Sequence, residues 1–246
     1  MVTVLGLQIG QEDITSVTLN GIAATITSQT ADNVTVTAAP GISAGSGPVV
    51  LESTSIGTVT SWPHNYTYNP TPHILSLSQY SGPLVGGTQL TIIGTSMENN
   101  NDATVTVAGY PATTLSQSST QIVVVTSAAA APTKGVVIVN STSAGIATST
   151  ATFTYNPTGQ VTEVNPQVGA IGGQYQVTIS GQNLGADVTA VTLADVAATV
   201  LSCDPNGQQV VVSAGSTTAP TTGSVAVYSP TFGKSVGQSF RYRYRM

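Results

Sequence analysis

Hydrophobic and polar residues alternate with a period of two along most of this chain. In "TQLTIIG" (88–94), Leu90 and Ile92 fall on one face of an extended strand, and Phe153 and Tyr155 do the same further on. Alternation of this kind is typical of half-buried β-strands, and no run of about eleven residues or more shows a helical stripe. The pattern therefore predicts an all-β fold. Buried core positions are expected at Leu90, Ile92, Val107, Val124 and Phe153.

Turn residues interrupt the alternating segments roughly every 8–12 residues, as in an antiparallel β-sandwich. Asn20–Gly21 and "PNG" (205–207) are examples. The pair Gly86–Gly87 raises the question of a phosphate-binding loop, which requires a helix after the glycines. Here a strand follows the glycines and no lysine is near. We therefore interpret Gly86 and Gly87 as a tight bend between two strands.

The strand pattern occurs in three copies. Tyr68, Tyr155 and Tyr242 close the last strand of each copy and are 87 residues apart. Gly94 and Gly181, which lie in an earlier strand, show the same interval. A repeat of about this length is the size of one small sandwich domain. The chain of 246 residues is therefore predicted to contain three domains.

We place the domains at residues 1–70, 71–157 and 158–246. The segments that join them, "NPTP" (69–72) and "NPTG" (156–159), are short and contain proline. Short joints with proline restrict bending between domains. The three sandwiches are therefore expected to form an extended row.

The first repeat lacks a counterpart to the first strand of the other two. Strands are predicted around Ile74–Leu77 and Val161–Val164, whereas the corresponding position in the first repeat falls before Met1. A sandwich without that edge strand exposes unpaired backbone groups. Two explanations are open: the sequence is a slice of a longer repeat protein, or a neighbouring molecule supplies the strand by donor-strand assembly. We favour the slice.

The combined pattern resembles the IPT/TIG family of immunoglobulin-like domains. Its elements are a glycine-rich bend before a strand in "GPLVGGTQLTIIG" (82–94), a proline and a glycine in "VNPQVGAIGG" (164–173), and a closing aromatic pair in "TATFTY" (150–155). The resemblance covers the chain in three copies and implies E-set β-sandwiches. Such domains occur in cell-surface receptors, bacterial and protist surface proteins, carbohydrate-active enzymes and Rel-type transcription factors. The fold alone therefore does not select a function.

The composition excludes some classes of protein. Only 6% of residues are charged and 40% are hydrophobic, which is not the composition of a disordered chain. The polar residues are mainly hydroxyl and amide side chains, which suits an extracellular or cell-surface location. No apolar run reaches the roughly 20 residues of a membrane-spanning helix. The start, "MVTVLGLQIG" (1–10), has no basic region, so we expect no signal peptide in this sequence.

Charge is distributed unevenly along the chain. The first 133 residues contain no lysine or arginine, whereas Arg241, Arg243 and Arg245 lie close to the last residue. A chain with a net charge of −5 is not expected to bind nucleic acid, which requires a basic face. Contact between the basic end and an acidic first domain suits head-to-tail association that salt weakens. The three arginines are therefore candidate assembly contacts.

The sequence offers little for catalysis. Its two histidines, His64 and His73, flank the first linker, and a catalytic triad needs a histidine held near a nucleophile and a carboxylate. Cys203 is the only cysteine and cannot form an internal disulfide. Its repeat counterparts, Gln29 and Gln117, indicate a surface position that tolerates change. We predict no enzymatic activity and no cofactor.

Two polar loops are candidates for calcium binding. "ENNND" (98–102) and "GQEDI" (10–14) fall in equivalent loops, and clustered carboxylate and amide oxygens are the ligands that Ca²⁺ prefers. Glu98 and Asp102 would be the main ligands, but a solvated polar loop is the alternative that we favour. The third repeat has only "GAD" (185–187) there, so a site would not be shared. We expect that folding needs no metal.

Three Asn-x-Ser/Thr sequons, at Asn33, Asn65 and Asn140, are candidate glycosylation sites if the host modifies secreted proteins. Their number is no more than chance predicts for a chain this rich in serine and threonine. They therefore do not by themselves indicate secretion.

Aromatic residues near turns and strand ends are candidates for stacking on sugar rings. Packing at linkers and sheet edges is the interpretation that we favour for most of these residues. The candidates are Trp62, Tyr80, Tyr110, Tyr175 and Tyr228.

These observations predict a structural or adhesive repeat segment of a cell-surface protein or extracellular filament. It would act by domain–domain and subunit association, and its partners would be other protein subunits or repeats. A carbohydrate-binding accessory array, with glycans as partners, is the alternative, and a virion surface protein is a third.

Overall fold

The computed structural model describes residues 1–6, 9, 12–97, 103–142 and 144–244. These residues form strands and turns, and no helix among them is long and apolar enough to cross a membrane. Close packing divides the chain into two compact units, Met1–Pro72 and His73–Met246. The first unit contains one sandwich and the second unit contains two. The all-β prediction and the count of three sandwiches are confirmed.

The first sandwich has six strands. Strand β3 pairs with β2 over its first residues and with β4 over the rest, so it passes from one sheet to the other. One sheet is then β1–β4–β3 and the other is β3–β2–β5–β6. The strands are β1 (Val2–Leu5), β2 (Ile14–Leu19), β3 (Ile22–Gln29), β4 (Asn33–Thr37), β5 (Gly45–Ser53) and β6 (Gly57–Tyr68).

The second sandwich repeats this arrangement and adds two strands. Strand β7 pairs antiparallel with β9, and β8 pairs parallel with the last strand, β14. The strands are β7 (His73–Leu77), β8 (Ser81–Pro83), β9 (Gln89–Thr95), β10 (Thr104–Val107), β11 (Tyr110–Gln117), β12 (Gln121–Thr126), β13 (Thr133–Ser141) and β14 (Gly145–Asn156).

The third sandwich has the same eight-strand topology as the second. Strand β15 pairs with β17, and β16 pairs parallel with β22. The strands are β15 (Gln160–Asn165), β16 (Val168–Ala170), β17 (Gln176–Gln182), β18 (Ala190–Leu193), β19 (Val196–Cys203), β20 (Gln209–Ser213), β21 (Thr222–Ser229) and β22 (Gly233–Arg243).

Each sandwich buries its own apolar core, as the alternating pattern predicts. In β9, Leu90 and Ile92 are fully buried. Ile93, which follows Ile92 and faces the opposite side of the strand, is 43% exposed. The other expected core positions, Val107, Val124 and Phe153, are also fully buried. These five predictions are confirmed, because an extended strand places alternate side chains on opposite faces.

The turn prediction at Asn20–Gly21 is also confirmed. Leu19 pairs directly with Ile22, so the two intervening residues form the whole loop, and their φ angles are 50° and 78°. Two positive φ angles define a type I′ hairpin turn, for which asparagine followed by glycine is the preferred pair. The equivalent turn of the third sandwich uses Ala194 and Asp195, with φ angles of 49° and 65°.

Candidate functional site

The second and third sandwiches touch through two turns, which we call the interdomain joint. The amide Nδ2 of Asn156, at the end of β14, donates a hydrogen bond of 3.1 Å to the carbonyl oxygen of Thr231. A Cβ added at Gly233 would lie 2.9 Å from Pro83 Cβ and 3.7 Å from Val85 Cγ2. The turn between β21 and β22 therefore packs directly against the turn between β8 and β9.

A carboxylate holds the β21–β22 turn in shape. Asp187 accepts hydrogen bonds from Ser229 Oγ at 2.5 Å, from Thr231 Oγ1 at 2.7 Å and from Thr231 N at 3.1 Å. Ser229 Oγ in turn accepts from the backbone N–H of Thr231 and Phe232. These contacts orient the carbonyl group of Thr231 that receives Asn156.

The hydrogen bonds also set the charge of Asp187. Burial raises the pKa of this carboxyl, but the hydroxyl donors of Ser229 and Thr231, with backbone N–H groups, outweigh burial and hold the pKa below its ordinary value. A carboxyl with a lowered pKa stabilises the folded state above its unfolded pKa, and this stabilisation is lost as pH falls through the folded pKa. Asp187 is therefore ionised at neutral pH and stabilises the joint there.

Asp187→Asn is expected to lower the free energy of unfolding of the third sandwich by about 0.5–1 kcal/mol at pH 7, because a neutral amide replaces a charged acceptor whose interactions water partly screens. Wild-type stability should fall as pH drops below about 4, the ordinary pKa of aspartate. The variant should lose less over the same range. Urea unfolding at pH 7 and pH 3, followed by circular dichroism, measures both effects.

Asp195→Asn is the matched control for this experiment. Asp195 lies in an exposed turn of the same sandwich with a φ of 65°, a conformation that asparagine tolerates. The Asp195→Asn substitution removes the same charge but changes no contact of the β21–β22 turn. Equal losses in both variants would show that net charge, and not the Asp187 hydrogen bonds, determines the acid sensitivity.

The first sandwich uses the same arrangement at Asp13, which lies in "GQEDI". Asp13 accepts from Ser53 Oγ at 2.8 Å, Thr54 Oγ1 at 2.9 Å and Ser55 N at 2.7 Å, so its oxygens bind the β5–β6 turn. Asp187 of "GAD" holds the equivalent turn of the third sandwich in the same way.

The other calcium candidates, Glu98 and Asp102, lie outside the described residues. Across the ranges that the structure describes, no group of three or more histidine, cysteine, aspartate or glutamate side chains is placed to hold a metal ion. Metal binding at "ENNND" stays a prediction from sequence.

A polar cleft of about 330 Å³ opens beside the interdomain joint. Side-chain amides and hydroxyls from both sandwiches border it, and two backbone glycines form part of its wall. Its side-chain lining is Gln79, Pro83, Thr88, Gln89, Ser229 and Pro230. The cleft can offer hydrogen bonds to a neutral polar ligand, and none of the described residues that line it is charged.

Gly86 and Gly87 form the wall of this cleft as turn residues. Gly86 N donates to Pro83 O at 3.0 Å and Gly87 N donates to Thr126 O at 2.8 Å, so neither N–H is directed at an anion. Their φ angles of 73° and 82° belong to the left-handed region that glycine favours. The interpretation as a tight bend is confirmed.

The residues considered for catalysis are two histidines and one cysteine. His64 and His73 are both exposed. Cys203 is half-buried and packs against the core of the third sandwich. The prediction that this position lies on the surface and tolerates change is therefore corrected. Its counterparts are also engaged: Gln29 accepts a hydrogen bond from Ile14 N at 2.9 Å, and Gln117 donates one to Met97 O at 2.9 Å.

Most of the aromatic candidates are packing residues, which confirms the interpretation that we favour for them. Tyr110 packs edge-on against Tyr155 with ring centroids 5.5 Å apart, and Tyr175 stacks on Phe240 at 6.5 Å. Tyr228 is half-buried and faces the Lys234 ammonium at 5.5 Å.

Only Trp62 and Tyr80 of this set present most of the ring to solvent, at 91% and 56% exposure. They lie in different sandwiches.

The sequons and the arginines lie on strands. Asn65 and Asn140 are exposed, whereas Asn33 is half-buried at the start of β4. Arg241 and Arg243 are exposed and flank the buried Tyr242 on β22, while Arg245 lies outside the described residues. Glycosylation at the three asparagines and assembly contacts at the three arginines stay predictions from sequence.

Sequence reasoning missed Asp187 and Asn156. The signal for Asp187 is an aspartate just before β18, as Asp13 lies just before β2, followed about 40 residues later by Ser-x-Ser or Ser-x-Thr. Asp13 and Ser53 are 40 residues apart, and Asp187 and Ser229 are 42 apart. Asn156 had no signal, because its partner Thr231 belongs to another domain.

Comparison with known families gives one match. The profile described as the IPT/TIG domain matches residues 72–155 and 160–242, which are most of the second and third sandwiches.

Two plexins are similar in sequence. The chain is 29% identical to Plexin-A3 of Rattus norvegicus over 115 residues, which are 46% of this chain and 6% of the plexin. It is 29% identical to Plexin-B3 of Mus musculus over 147 residues, which are 59% of this chain and 8% of the plexin. The chain therefore spans less than a tenth of the length of these relatives.

Solved structures of the plexin A4 extracellular region are similar in fold. One, of domains 1 to 10, gives a TM-score of 0.54 at 16% identity and covers 98% of this chain and 28% of that chain. Another, of domains 1 to 8, gives a TM-score of 0.52 at 16% identity, with 98% and 33% covered. At this identity the likeness shows a shared fold.

Proposed function

Because the chain belongs to the IPT/TIG domain family, we propose that it is a non-enzymatic structural or adhesive repeat segment of a cell-surface protein or extracellular filament. It acts by domain–domain and subunit association. The similarity to plexin extracellular regions supports an extracellular or cell-surface location for this chain as well.

The observation that carries the proposal is the interdomain joint. The second and third sandwiches are in direct contact there. Asn156 and Thr231 form a hydrogen bond of 3.1 Å, and Gly233 lies close to Pro83. Each sandwich of such a repeat carries the same kind of contact surface, so it can pack on a sandwich of another subunit as it packs on its neighbour in the chain. Stacking of this kind needs only shape and hydrogen bonds, which suits a surface of hydroxyl and amide groups.

Charge supplies an orientation for such contacts. Arg241 and Arg243 are exposed on β22, and the carboxylates of Glu12, Asp32 and Glu52 belong to the first sandwich, which has no basic residue. Opposite charges on the two ends favour head-to-tail over head-to-head association. Because exposed charges are screened over about 10 Å at 0.1 M salt, this preference weakens as salt rises.

The test is self-association of the chain in solution. Sedimentation velocity at low salt should show oligomers that grow with protein concentration and shrink as salt is added, and negative staining should show ordered polymers. Replacing Arg241 and Arg243 with serine together should weaken association severalfold. Lys134→Ser, which removes an exposed cation from β13, is the matched control and should change little.

A chain that stays monomeric at every concentration and salt level would contradict the proposed role.

The polar cleft beside the joint favours carbohydrate binding as the second candidate, because its glutamine amides suit sugar hydroxyls. A glycan array separates the two: saturable sugar binding by a monodisperse chain supports the second candidate and rejects the first.

A further inference from the structure

The first sandwich has two sheet edges that its counterparts cover. In the second sandwich, β7 lies beside β9 and β8 lies beside β14; in the third, β15 and β16 do the same for β17 and β22. Among the described residues, no strand pairs with the outer edge of β1 or of β6. Unpaired edges present free backbone donors and acceptors to other polypeptides.

The burial of equivalent side chains differs in the same place. Val4 pairs with Val34 as Ile92 pairs with Ile122, so the two are counterparts; Ile92 is fully buried and Val4 is only half-buried. Part of the apolar interior of the first sandwich is therefore open to solvent beside β1.

The closing aromatic pair shows the same difference at β6. Tyr66 and Tyr68 pack edge to face at 5.0 Å, as Phe153 and Tyr155 do at 5.2 Å in the second sandwich. Phe153 and Tyr155 are fully buried, whereas both tyrosines of the first sandwich are only half-buried. The open side thus runs from β1 to β6.

Trp62 lies where the missing strand would pass. Residues 61–64 bulge out opposite Val49, and Ser61 Oγ holds the bulge by accepting from Val49 N at 2.9 Å and donating to His64 O at 2.5 Å. At the corresponding place in the third sandwich, Gly237 lies opposite Val225, and a Cβ added to Gly237 would collide with the carbonyl oxygen of Val161 on β15. A strand laid beside β6 would therefore pass the exposed Trp62.

The strands that fill this place in the other sandwiches define the occupant. Each has two apolar residues three apart and a glycine five residues later: Ile74, Leu77 and Gly82, and again Val161, Val164 and Gly169. The apolar residues supply the interior, and Leu77, Val161 and Val164 are 2–4% exposed. In these two sandwiches a Cβ at Gly82 would collide with the Thr88 hydroxyl, and one at Gly169 with the Tyr175 ring. No residue of the first sandwich corresponds to Thr88 or Tyr175, so only the two apolar positions define the occupant there.

We propose that the open side of the first sandwich binds an extended segment in which two apolar residues are separated by two other residues. The segment adds as a strand beside β1 and then β6. It is supplied by polypeptide other than residues 1–246, because the strands with this pattern in this chain are already paired within their own sandwiches. A second copy could offer one only by exposing its own core.

The test uses a synthetic peptide with the sequence of residues 72–84 and the whole chain. Fluorescence anisotropy of the labelled peptide should show saturable binding with one site per chain. The peptide contains no tryptophan and Trp62 is the only one in the chain, so unlabelled peptide should also shift Trp62 emission to shorter wavelength. The same peptide with Ile74→Asp and Leu77→Asp should bind at least tenfold more weakly.

Equal binding of the two peptides, no binding, or binding that leaves Trp62 emission unchanged would each overturn the proposal. So would a dimer of the chain that the peptide dissociates, because the occupant would then be a second copy. As an independent measurement, residues 72–89 are fused in place of Met1. The fusion should raise the Tm of the transition reported by Trp62 above that of the fusion carrying both aspartates, and an equal Tm would reject the site.

The proposal does not rest on the proposed function. A chain that fails to self-associate but binds the peptide supports the strand site and rejects the assembly role. A chain that self-associates without binding the peptide does the reverse.

Discussion

Phe153→Ala is expected to lower the free energy of unfolding of the second sandwich by about 3–5 kcal/mol. The ring is fully buried and packs edge-on against Tyr155 at 5.2 Å. Removal therefore costs the transfer of the ring from water, the aromatic contact and the cavity that remains. Urea unfolding followed by far-ultraviolet circular dichroism measures the loss.

Two controls accompany this variant. Trp62 is the only tryptophan and lies in the first sandwich, so the transition seen by its fluorescence should not move in Phe153→Ala. Tyr66→Ala removes the counterpart ring in the first sandwich, which is half-buried, and should cost about 1–2 kcal/mol. If Phe153→Ala cost no more than Tyr66→Ala, the view that the second sandwich has the tighter core would be wrong.

Gly86→Ala is expected to lower stability by about 3 kcal/mol or more, although it adds a single methyl group. A Cβ at Gly86 would lie 2.5 Å from the carbonyl carbon of Ser127 and 2.6 Å from the carbonyl oxygen of Thr126. These are backbone atoms, so relief requires the turn to move away from the following loop, which costs roughly 1–3 kcal/mol. The φ of 73° adds about 1–2 kcal/mol for any residue with a Cβ.

The neighbouring glycine separates the two causes. Gly87 has a φ of 82°, but a Cβ there would meet no atom within 4 Å. Gly87→Ala should therefore show only the backbone cost of about 1–2 kcal/mol. Thermal unfolding of both variants gives the difference. Equal losses would mean that the close approach to Ser127 has no energetic effect.

Much of the fold follows from local patterns. The alternation in β9, the Asn20–Gly21 turn and the bend at Gly86–Gly87 are determined by residues within a few positions of one another. Strand geometry converts such short patterns into faces and turns without information from the rest of the chain. The repeat then extends each local prediction to the other copies.

The candidate sites were predicted less well because polar contacts join distant residues. Asp13 and "GAD" were assigned from loop composition, whereas the acceptor role of Asp13 and Asp187 depends on donors 40 and 42 residues away. The packing partners of the aromatic candidates are also distant in sequence. Tyr110 and Tyr175 flank turns in sequence, but they pack on Tyr155 and Phe240 from other strands.

The sequence by itself therefore determined the strand class, the three repeats, the core positions and the tight turns, since each depends on the period-two pattern or on backbone conformations that few residues adopt. Only the tertiary structure decided which carboxylates fasten turns, how Asn156 reaches Thr231, and how far the core beside Val4 and Tyr68 is open. Those features depend on which strands lie side by side, and the pairing of strands distant in sequence is a property of the folded chain.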